Sequence, residues 1–200
     1  MNQHLRPTAV PLTTQAAEGL PRRRWTWADI EAMNKAGIMH EHERIELIGG
    51  EIVPMQSKGY RHELLKNALL IYWAQRLPAP VRFAVETTFH LTEQDDFVEP
   101  DLVFFKTSDG LANLRPDTAL LAVEISDSSL AYDRGRKARI YASFAVRELW
   151  VINAITHETR QFSVPGAEGY TVTHDVAPAS VLHMPFAPEL DVILASLPLV

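Results

Sequence analysis

Two carboxylates border the most apolar stretches of this sequence. Asp101 directly precedes the run Leu102-Val103-Phe104-Phe105, and Glu124 is the one charged residue of the run 119–125. A carboxylate buried without a partner costs several kcal/mol or has its pKa forced upward. If the two runs form paired strands, both carboxylates converge at one end of a sheet, and their mutual repulsion requires a cation between them.

The types of the available ligands indicate which cation this would be. The chain has no cysteine and only 8 histidines, few of them well spaced for a metal site. Oxygen ligands favour a hard ion such as Mg²⁺ or Mn²⁺ over zinc. Such an ion can bind a phosphate oxygen, lower the pKa of a bound water and stabilise the leaving oxygen, as phosphodiester hydrolysis requires. Lys137 would then offset transition-state charge or position the water.

The segments that must position these residues alternate between strand and helix patterns. Residues 119–125 have the nearly unbroken apolar pattern of a central strand that is covered on both faces. Asp133 is a good N-cap for a helix that runs to about Ala145, in which Lys137 and Tyr141 share one face. Residues 149–152 form the next predicted strand.

The N-terminal half has its own capping and turn signals. Thr26 and Asp29 are spaced as a capping box at the start of a short helix that Gly37 ends. Residues 44–48 and 51–55 flank Gly49-Gly50 and are typical of a β-hairpin, because both glycines can adopt positive φ. Three more elements follow from spacing and composition: a helix over 60–77 with His62 in its first turn, a strand over 81–91, and a peripheral hairpin over 160–164 and 170–173.

Length and composition limit the architecture. The 200 residues, 46% hydrophobic and 22% charged, are enough for one well-cored domain. We expect a mobile tail over residues 1–21 and a single α/β domain over 22–200. Its central mixed sheet, flanked by helices, should contain the strands of the Gly49-Gly50 hairpin and those of Asp101, Glu124 and Trp150. The absence of cysteine, of a membrane-spanning apolar run and of a signal peptide predicts a cytoplasmic protein. A net charge of -6 restricts any nucleic-acid contact to a local surface.

Several motifs resemble, in order and spacing, the Uma-two family of restriction-endonuclease-like proteins in the PD-(D/E)XK nuclease superfamily. The resemblance covers about residues 25–161. The motifs are Arg44-Ile45-Glu46-Leu47-Ile48-Gly49-Gly50-Glu51-Ile52-Val53, His62 at a helix start, Glu99-Pro100-Asp101-Leu102-Val103, Val123-Glu124-Ile125-Ser126, Asp133, Lys137, Tyr141, and Arg147-Glu148-Leu149-Trp150-Val151-Ile152.

This resemblance implies a restriction-endonuclease-like fold and a metal-dependent endonuclease that uses Mg²⁺ or Mn²⁺. By implication Asp101 and Glu124 are catalytic metal ligands, Glu46 is a further acidic residue that binds or orients metal, and His62 assists. The superfamily lysine lies two residues after the motif acid, where this chain has Ser126, so Lys137 must reach in from the following helix. The implied partners are nucleic acid, with DNA expected, and a second copy of the chain in a homodimer.

Some of these residues also have simpler interpretations. Glu46 could pair with Arg44 or with a lysine across the hairpin, and His62 could cap its helix or pack against Tyr60. The cluster His40-Glu41-His42-Glu43 lacks the helical spacing of a zinc-protease motif and is read as linker. Three arginines around Lys137 form either a solvated helix face or a strip for the nucleic-acid backbone; they are Arg134, Arg136 and Arg139.

Two functional alternatives remain at this point. The first is a catalytically silent binding or assembly module that keeps the nuclease fold and the acidic pocket, and the negative net charge favours it. The second is a metal-dependent hydrolase of a different phosphate ester, because fold and ligands do not determine the substrate.

Overall fold

The structure is a computed structural model, and it describes residues 23–40, 43–92 and 95–199. The predicted tail over residues 1–21 and part of the cluster at residues 40–43 lie outside the described residues. The chain divides into two compact units, Met1–Gln56 with Thr88–Glu99 and Ser57–Thr87 with Pro100–Val200. A single domain over residues 22–200 stays a prediction.

The regular elements of the two units are named in chain order. The helices are α1 (Trp27–Lys35), α2 (Tyr60–Ala74), α3 (Leu130–Tyr132) and α4 (Ala138–Ser143). The strands are β1 (Ile45–Ile48), β2 (Glu51–Pro54), β3 (Val81–Val85), β4 (Phe89–His90), β5 (Phe97–Val98), β6 (Leu102–Lys106), β7 (Ala119–Ser126), β8 (Glu148–Asn153), β9 (Thr159–Gly166) and β10 (Gly169–Val176).

The first unit contains α1 and a small sheet with the strand order β2-β1-β5-β4. The predicted capping box is confirmed, because the Thr26 hydroxyl accepts from the Asp29 N–H and the Asp29 carboxylate accepts from the Thr26 N–H. The predicted hairpin of β1 and β2 is also confirmed, and both turn glycines have positive φ, 62° at Gly49 and 75° at Gly50. A core of Ile30, Ile45, Leu47 and Phe97 joins helix and sheet.

The second unit is built on a six-stranded sheet with the order β10-β9-β8-β7-β6-β3. Strands β7 and β8 are parallel and the other neighbours are antiparallel, so the sheet is mixed, as predicted. A parallel pair needs a crossover, and here the helical residues 130–143 provide it. On one face of the sheet, α2 packs its Leu65, Leu69 and Trp73 against the strands.

Four predicted elements differ from the observed ones. The hairpin of β1 and β2 belongs to the small sheet and not to the central one. The predicted strand over 81–91 is interrupted at Glu86, whose φ of 46° takes the backbone out of the extended region. The C-terminal hairpin is longer than predicted and forms one edge of the main sheet. Asp133 is not an N-cap, because the helical segment already begins at Leu130.

Candidate active site

Three carboxylates follow one another across three adjacent strands of the second unit. The register pairs Val85 with Leu102 and Leu102 with Val123. The next position in the same direction across the sheet is occupied by a carboxylate in each case: Glu86 follows Val85, Asp101 precedes Leu102, and Glu124 follows Val123. The Glu86 N–H donates to the Asp101 carbonyl oxygen at 3.2 Å, so this row continues just beyond the ends of the strands. The sheet therefore brings Asp101 next to Glu124, as predicted, and adds Glu86.

Asp101 is 3% exposed, and hydrogen-bond donors surround its carboxylate. Its Oδ1 lies 2.6 Å from Lys58 Nζ and 2.9 Å from His62 Nε2. Its Oδ2 accepts from the backbone N–H of Ile125 at 2.7 Å. Burial alone would raise the pKa of Asp101, but the hydrogen bonds and charges of His62 and Lys58 outweigh it and hold the pKa at about 2. Asp101 is therefore a carboxylate stabilised in its charged form.

Glu86 is held by two lysines. Its Oε1 accepts from Lys58 Nζ at 2.8 Å and from the ammonium of Lys66. Lys66 extends from α2, where it also pairs with Glu63 at 2.8 Å. Burial opposes ionisation of Glu86, but the two ammonium groups prevail and lower its pKa to about 2. Lys58 thus contacts carboxylates of two neighbouring strands with a single ammonium.

Glu124 is bound by two side chains of the crossover segment. Lys137 Nζ lies 2.9 Å from Glu124 Oε1, and the Tyr141 hydroxyl donates to the same oxygen at 2.6 Å. Lys137 is 5% exposed and Glu124 is also 5% exposed, so this ion pair is formed away from bulk water. Lys137 points into the site and not to solvent, which is the orientation that the resemblance requires.

The crossover segment reaches this position through a π-helical turn. Residues Asp133–Lys137 form the turn between α3 and α4, and the Ala138 N–H bonds to the Asp133 carbonyl oxygen five residues earlier. The Asp133 carboxylate accepts from the hydroxyls of Ser126 and Ser129, each at 2.5 Å. π-Helical turns inside α-helices occur frequently at functional sites. Here the turn ends at Lys137.

The other predicted site residues have different surroundings. Glu46 lies in the first unit, is 3% exposed, and accepts from the Glu99 N–H at 3.1 Å; its metal role stays a prediction. Arg139 is exposed, whereas Arg134 and Arg136 are half-buried. In the described part of the chain, no acceptor lies within hydrogen-bonding distance of the buried Nε atoms of Arg134 and Arg136.

The carboxylate row has the donor chemistry of a site for a hard divalent cation. Among residues 23–40, 43–92 and 95–199, no group of three or more histidine or acidic side chains is arranged to hold a metal ion. Instead, each carboxylate of the row contacts a lysine ammonium. Carboxylate oxygens suit Mg²⁺ or Mn²⁺, so the donor types match such an ion, whereas their arrangement in this structure holds lysine ammonium groups.

Three residues of this site escaped sequence analysis: Lys58, Lys66 and Glu86. Lys66 follows His62 by four positions, so the helical period alone places both on one face of α2. Glu86 follows β3, in which Arg82 and Val85 are exposed, so it lacks the continuous apolar pattern that distinguishes Glu124 in β7. Lys58 lies between β2 and α2, outside any periodic pattern, and only the folded chain brings it to Asp101.

The depressed pKa values predict a loss of stability in acid. In the folded protein the pKa values of Asp101 and Glu86 fall from their ordinary values of 3.8 and 4.5 to about 2. Their contribution to the free energy of unfolding is therefore complete above about pH 4.5 and is lost as the pH falls toward 2. Urea unfolding across this pH range measures the loss.

The double variant Glu86→Gln/Asp101→Asn should flatten the pH dependence of the free energy of unfolding, whereas Asp117→Asn at an exposed site should not. An unchanged pH dependence in the double variant would contradict the assignment of this loss to Glu86 and Asp101.

Comparisons with known proteins agree with this fold. A family model described as "Uma2: Putative restriction endonuclease" matches residues 27–195. A solved structure from Anabaena variabilis ATCC 29413, described as a putative nuclease belonging to DUF820, aligns with a TM-score of 0.61 and 15% identity over 80% of this chain and 93% of that one. No curated protein matches. At this identity the solved structure supports the restriction-endonuclease-like fold alone.

Among the helices described here, none has the length and apolar character needed to cross a membrane.

Proposed function

The chain belongs to the Uma2 family of restriction-endonuclease-like proteins, and from this membership we propose that it is a metal-dependent endonuclease that hydrolyses phosphodiester bonds of nucleic acid, with DNA as the expected substrate. One observation carries the proposal. Lys137 and Glu124 form a buried ion pair, and Glu124 lies on β7 at the level of Asp101, the residue that precedes the paired strand β6. Ordinary packing does not require charges there, because burying them is costly.

The roles of the residues follow from their contacts. Asp101 and Glu124 are the metal ligands, and the bound ion would supply Lewis-acid activation of a phosphate oxygen and of water. The Tyr141 hydroxyl orients Glu124, and His62 holds Asp101. Lys137 presents positive charge where negative charge increases in the transition state. Hydrolysis adds water across one P–O bond and leaves a phosphate monoester and a hydroxyl group. Glu46 is kept as an assisting acidic residue on the resemblance alone.

The crossover segment also offers a surface for the nucleic-acid backbone. Arg134 and Arg136 flank Gly135 in the π-helical turn, and Arg139 follows on the exposed side of α4. Arg139 is the exposed member of the three. Guanidinium groups match phosphate oxygens. Such a local strip is compatible with the net charge of -6.

A binding or assembly module without catalysis is the second candidate, and one observation favours it. Lys58, Lys66 and Lys137 already neutralise the three carboxylates of the row, so the fold does not depend on a metal ion to hold these charges. Metal binding without cleavage would identify this function.

A cleavage assay tests the proposal. Purified protein is incubated with labelled single- and double-stranded DNA and RNA, in Mg²⁺, Mn²⁺ or chelator. We expect cleavage that needs metal, is lost in Asp101→Asn and persists in the exposed control Asp117→Asn. Cleavage that survives chelator or the Asp101 substitution would overturn the mechanism. Metal binding that is lost in Glu124→Gln, together with no cleavage of any substrate, would indicate the binding module.

Light scattering in the same buffers tests the proposed homodimer, and localisation of a tagged chain tests the cytoplasmic assignment.

A further inference from the structure

One exposed tyrosine stands at the start of α2. Tyr60 is the first residue of this helix and is 77% exposed. All other tryptophan, phenylalanine and tyrosine side chains in the described part of the chain are buried or half-buried. Within that part, no hydrogen bond or ring contact holds the Tyr60 side chain. Packing of the described fold therefore does not account for this ring, and its faces are open to a molecule from outside.

The position of Tyr60 in the chain puts it close to the candidate active site. The residues two positions before and after it are Lys58 and His62. Lys58 Nζ and His62 Nε2 lie 2.6 and 2.9 Å from the Asp101 carboxylate. Tyr60 is therefore enclosed in sequence by two side chains that hold the proposed metal ligand, while its own side chain faces solvent.

The connection just before Tyr60 is fixed by a close approach of the backbone. A Cβ added at Gly59 would lie 2.6 Å from Asp127 Oδ2, so only glycine fits there without a shift. Asp127 directly follows β7, the strand that carries Glu124. The start of α2 is thus packed against the end of the main sheet at which the candidate active site lies.

An exposed aromatic ring at this position suits an unpaired nucleobase. Every base has a π-face, so stacking on an aromatic side chain tolerates any sequence. In a duplex, neighbouring base pairs already cover the faces of each base, and only an unpaired strand presents a face to a protein ring. The net charge of -6 gives the chain little general attraction for phosphates. Stacking needs no charge, and the exposed Arg61 next to Tyr60 supplies a local positive charge for the strand.

We propose that Tyr60 is a stacking platform for an unpaired nucleobase close to the phosphodiester that is cleaved, and that the substrate class is single-stranded nucleic acid. The cleavage itself rests on the proposed function. The base stacks on the Tyr60 ring, while Arg61 attracts the backbone of the same strand. A fully paired duplex cannot make the stacking contact and is bound through its phosphates alone.

Binding in the absence of divalent ions tests the stacking platform. The affinity of the protein for a fluorescein-labelled oligothymidylate is measured by fluorescence anisotropy in chelator. Tyr60→Ala should weaken binding at least about fivefold, because the loss of one aromatic stacking partner has an effect of this size or larger. Tyr60→Phe keeps the ring and should bind like the wild type. Ile71→Ala removes an exposed apolar side chain of the same helix and should have no effect.

Two further measurements identify the contact as stacking on an unpaired base. The labelled strand is annealed to its oligoadenylate complement, and Tyr60→Ala should bind this duplex as tightly as the wild type does. Tyr60→Ala should also keep the wild-type salt dependence of single-strand affinity, because the ring neutralises no phosphate. Circular dichroism verifies that each variant is folded.

Four results would overturn the inference. They are an unchanged single-strand affinity in folded Tyr60→Ala, an equal loss of affinity for the duplex, a reduced salt dependence in Tyr60→Ala, and a wild-type protein that binds no single strand. Loss of single-strand affinity in Tyr60→Phe as large as in Tyr60→Ala would also contradict it, because the hydroxyl and not the ring would then make the contact.

This result can be separated from the test of the proposed function. The binding measurement contains chelator and requires no cleavage, so a protein without nuclease activity can still lose single-strand affinity in Tyr60→Ala. Conversely, metal-dependent cleavage by the wild type together with unaltered single-strand affinity in Tyr60→Ala would leave the endonuclease proposal intact and remove the inference about Tyr60.

Discussion

Replacing Lys137 by methionine should slow nucleic-acid cleavage by about two to three orders of magnitude, which is the usual cost of removing one preorganised group that stabilises developing charge. Methionine preserves much of the buried length of the side chain, and Glu124 still accepts from Tyr141 at 2.6 Å. Because Glu124 loses its ion-pair partner, the variant should also be less stable, so circular dichroism verifies that it is folded before the loss of activity, expected mainly in kcat, is measured. The rate of cleavage under single-turnover conditions, with saturating Mg²⁺, measures it.

Two matched variants serve as controls for the effect of Lys137→Met. Lys137→Arg keeps the positive charge with a different shape and should retain more activity than Lys137→Met. Lys106→Met alters a lysine on the exposed end of β6 and should cleave at the wild-type rate. If Lys137→Met cleaves normally while Asp101→Asn is inactive, then Lys137 is a structural partner of Glu124 and another cation stabilises the transition state.

Glu124→Leu should destabilise the fold by about 3–5 kcal/mol, the cost expected when one member of a buried ion pair is removed. The substitution deletes the oxygen that both the Lys137 ammonium and the Tyr141 hydroxyl contact, while both side chains remain buried. The free energy of unfolding from urea titration measures the change. The acidic control Glu189→Leu, at an exposed position, should cost far less.

The double variant Glu124→Leu/Lys137→Met distinguishes the destabilisation caused by an unpaired buried charge from that caused by lost packing contacts. Replacing both ions by apolar groups of similar size is often neutral or stabilising in buried sites, so the double variant should recover most of the stability that Glu124→Leu loses. It should nevertheless be inactive as a nuclease. A double variant as unstable as the single one would show that Glu124 supports the fold through other contacts than its pair with Lys137.

The strands that build the site could be predicted because they are buried on both faces. Strand β7 has the continuous apolar pattern expected of a central strand, and Glu124 stands out within it. The antiparallel pairing of β6 and β7, which brings Asp101 next to Glu124, is one pairing among several that such patterns allow. The sequence alone left this pairing as a condition, and the register of β6 and β7 in the structure shows that it forms.

The cations of the site could be predicted only in part. Lys137 was a candidate from its place after the Glu124 strand, and the resemblance added that it must replace the usual lysine, because Ser126 occupies that position. Lys58 was not identified, because a residue in an irregular connection has no period that reveals its neighbours. The position of Asp133 was misjudged for a related reason: its side chain is suited to an N-cap, but the hydroxyls of Ser126 and Ser129 bind it within the helical segment.

The π-helical turn Asp133–Lys137 gives the crossover segment a particular sensitivity to length. A turn closed by a bond between residues five apart contains one residue more than an α-helical turn. Deleting one residue there would let the backbone form a continuous α-helix in which the residues before and after the turn keep nearly their present orientation, because the wider turn already absorbs the additional residue. Inserting one residue has no such compensation and would rotate the preceding residues by about 100° relative to α4. Asp133 could then no longer face Ser126 while Lys137 faces Glu124, so single-residue insertions in this turn should be tolerated far less than deletions.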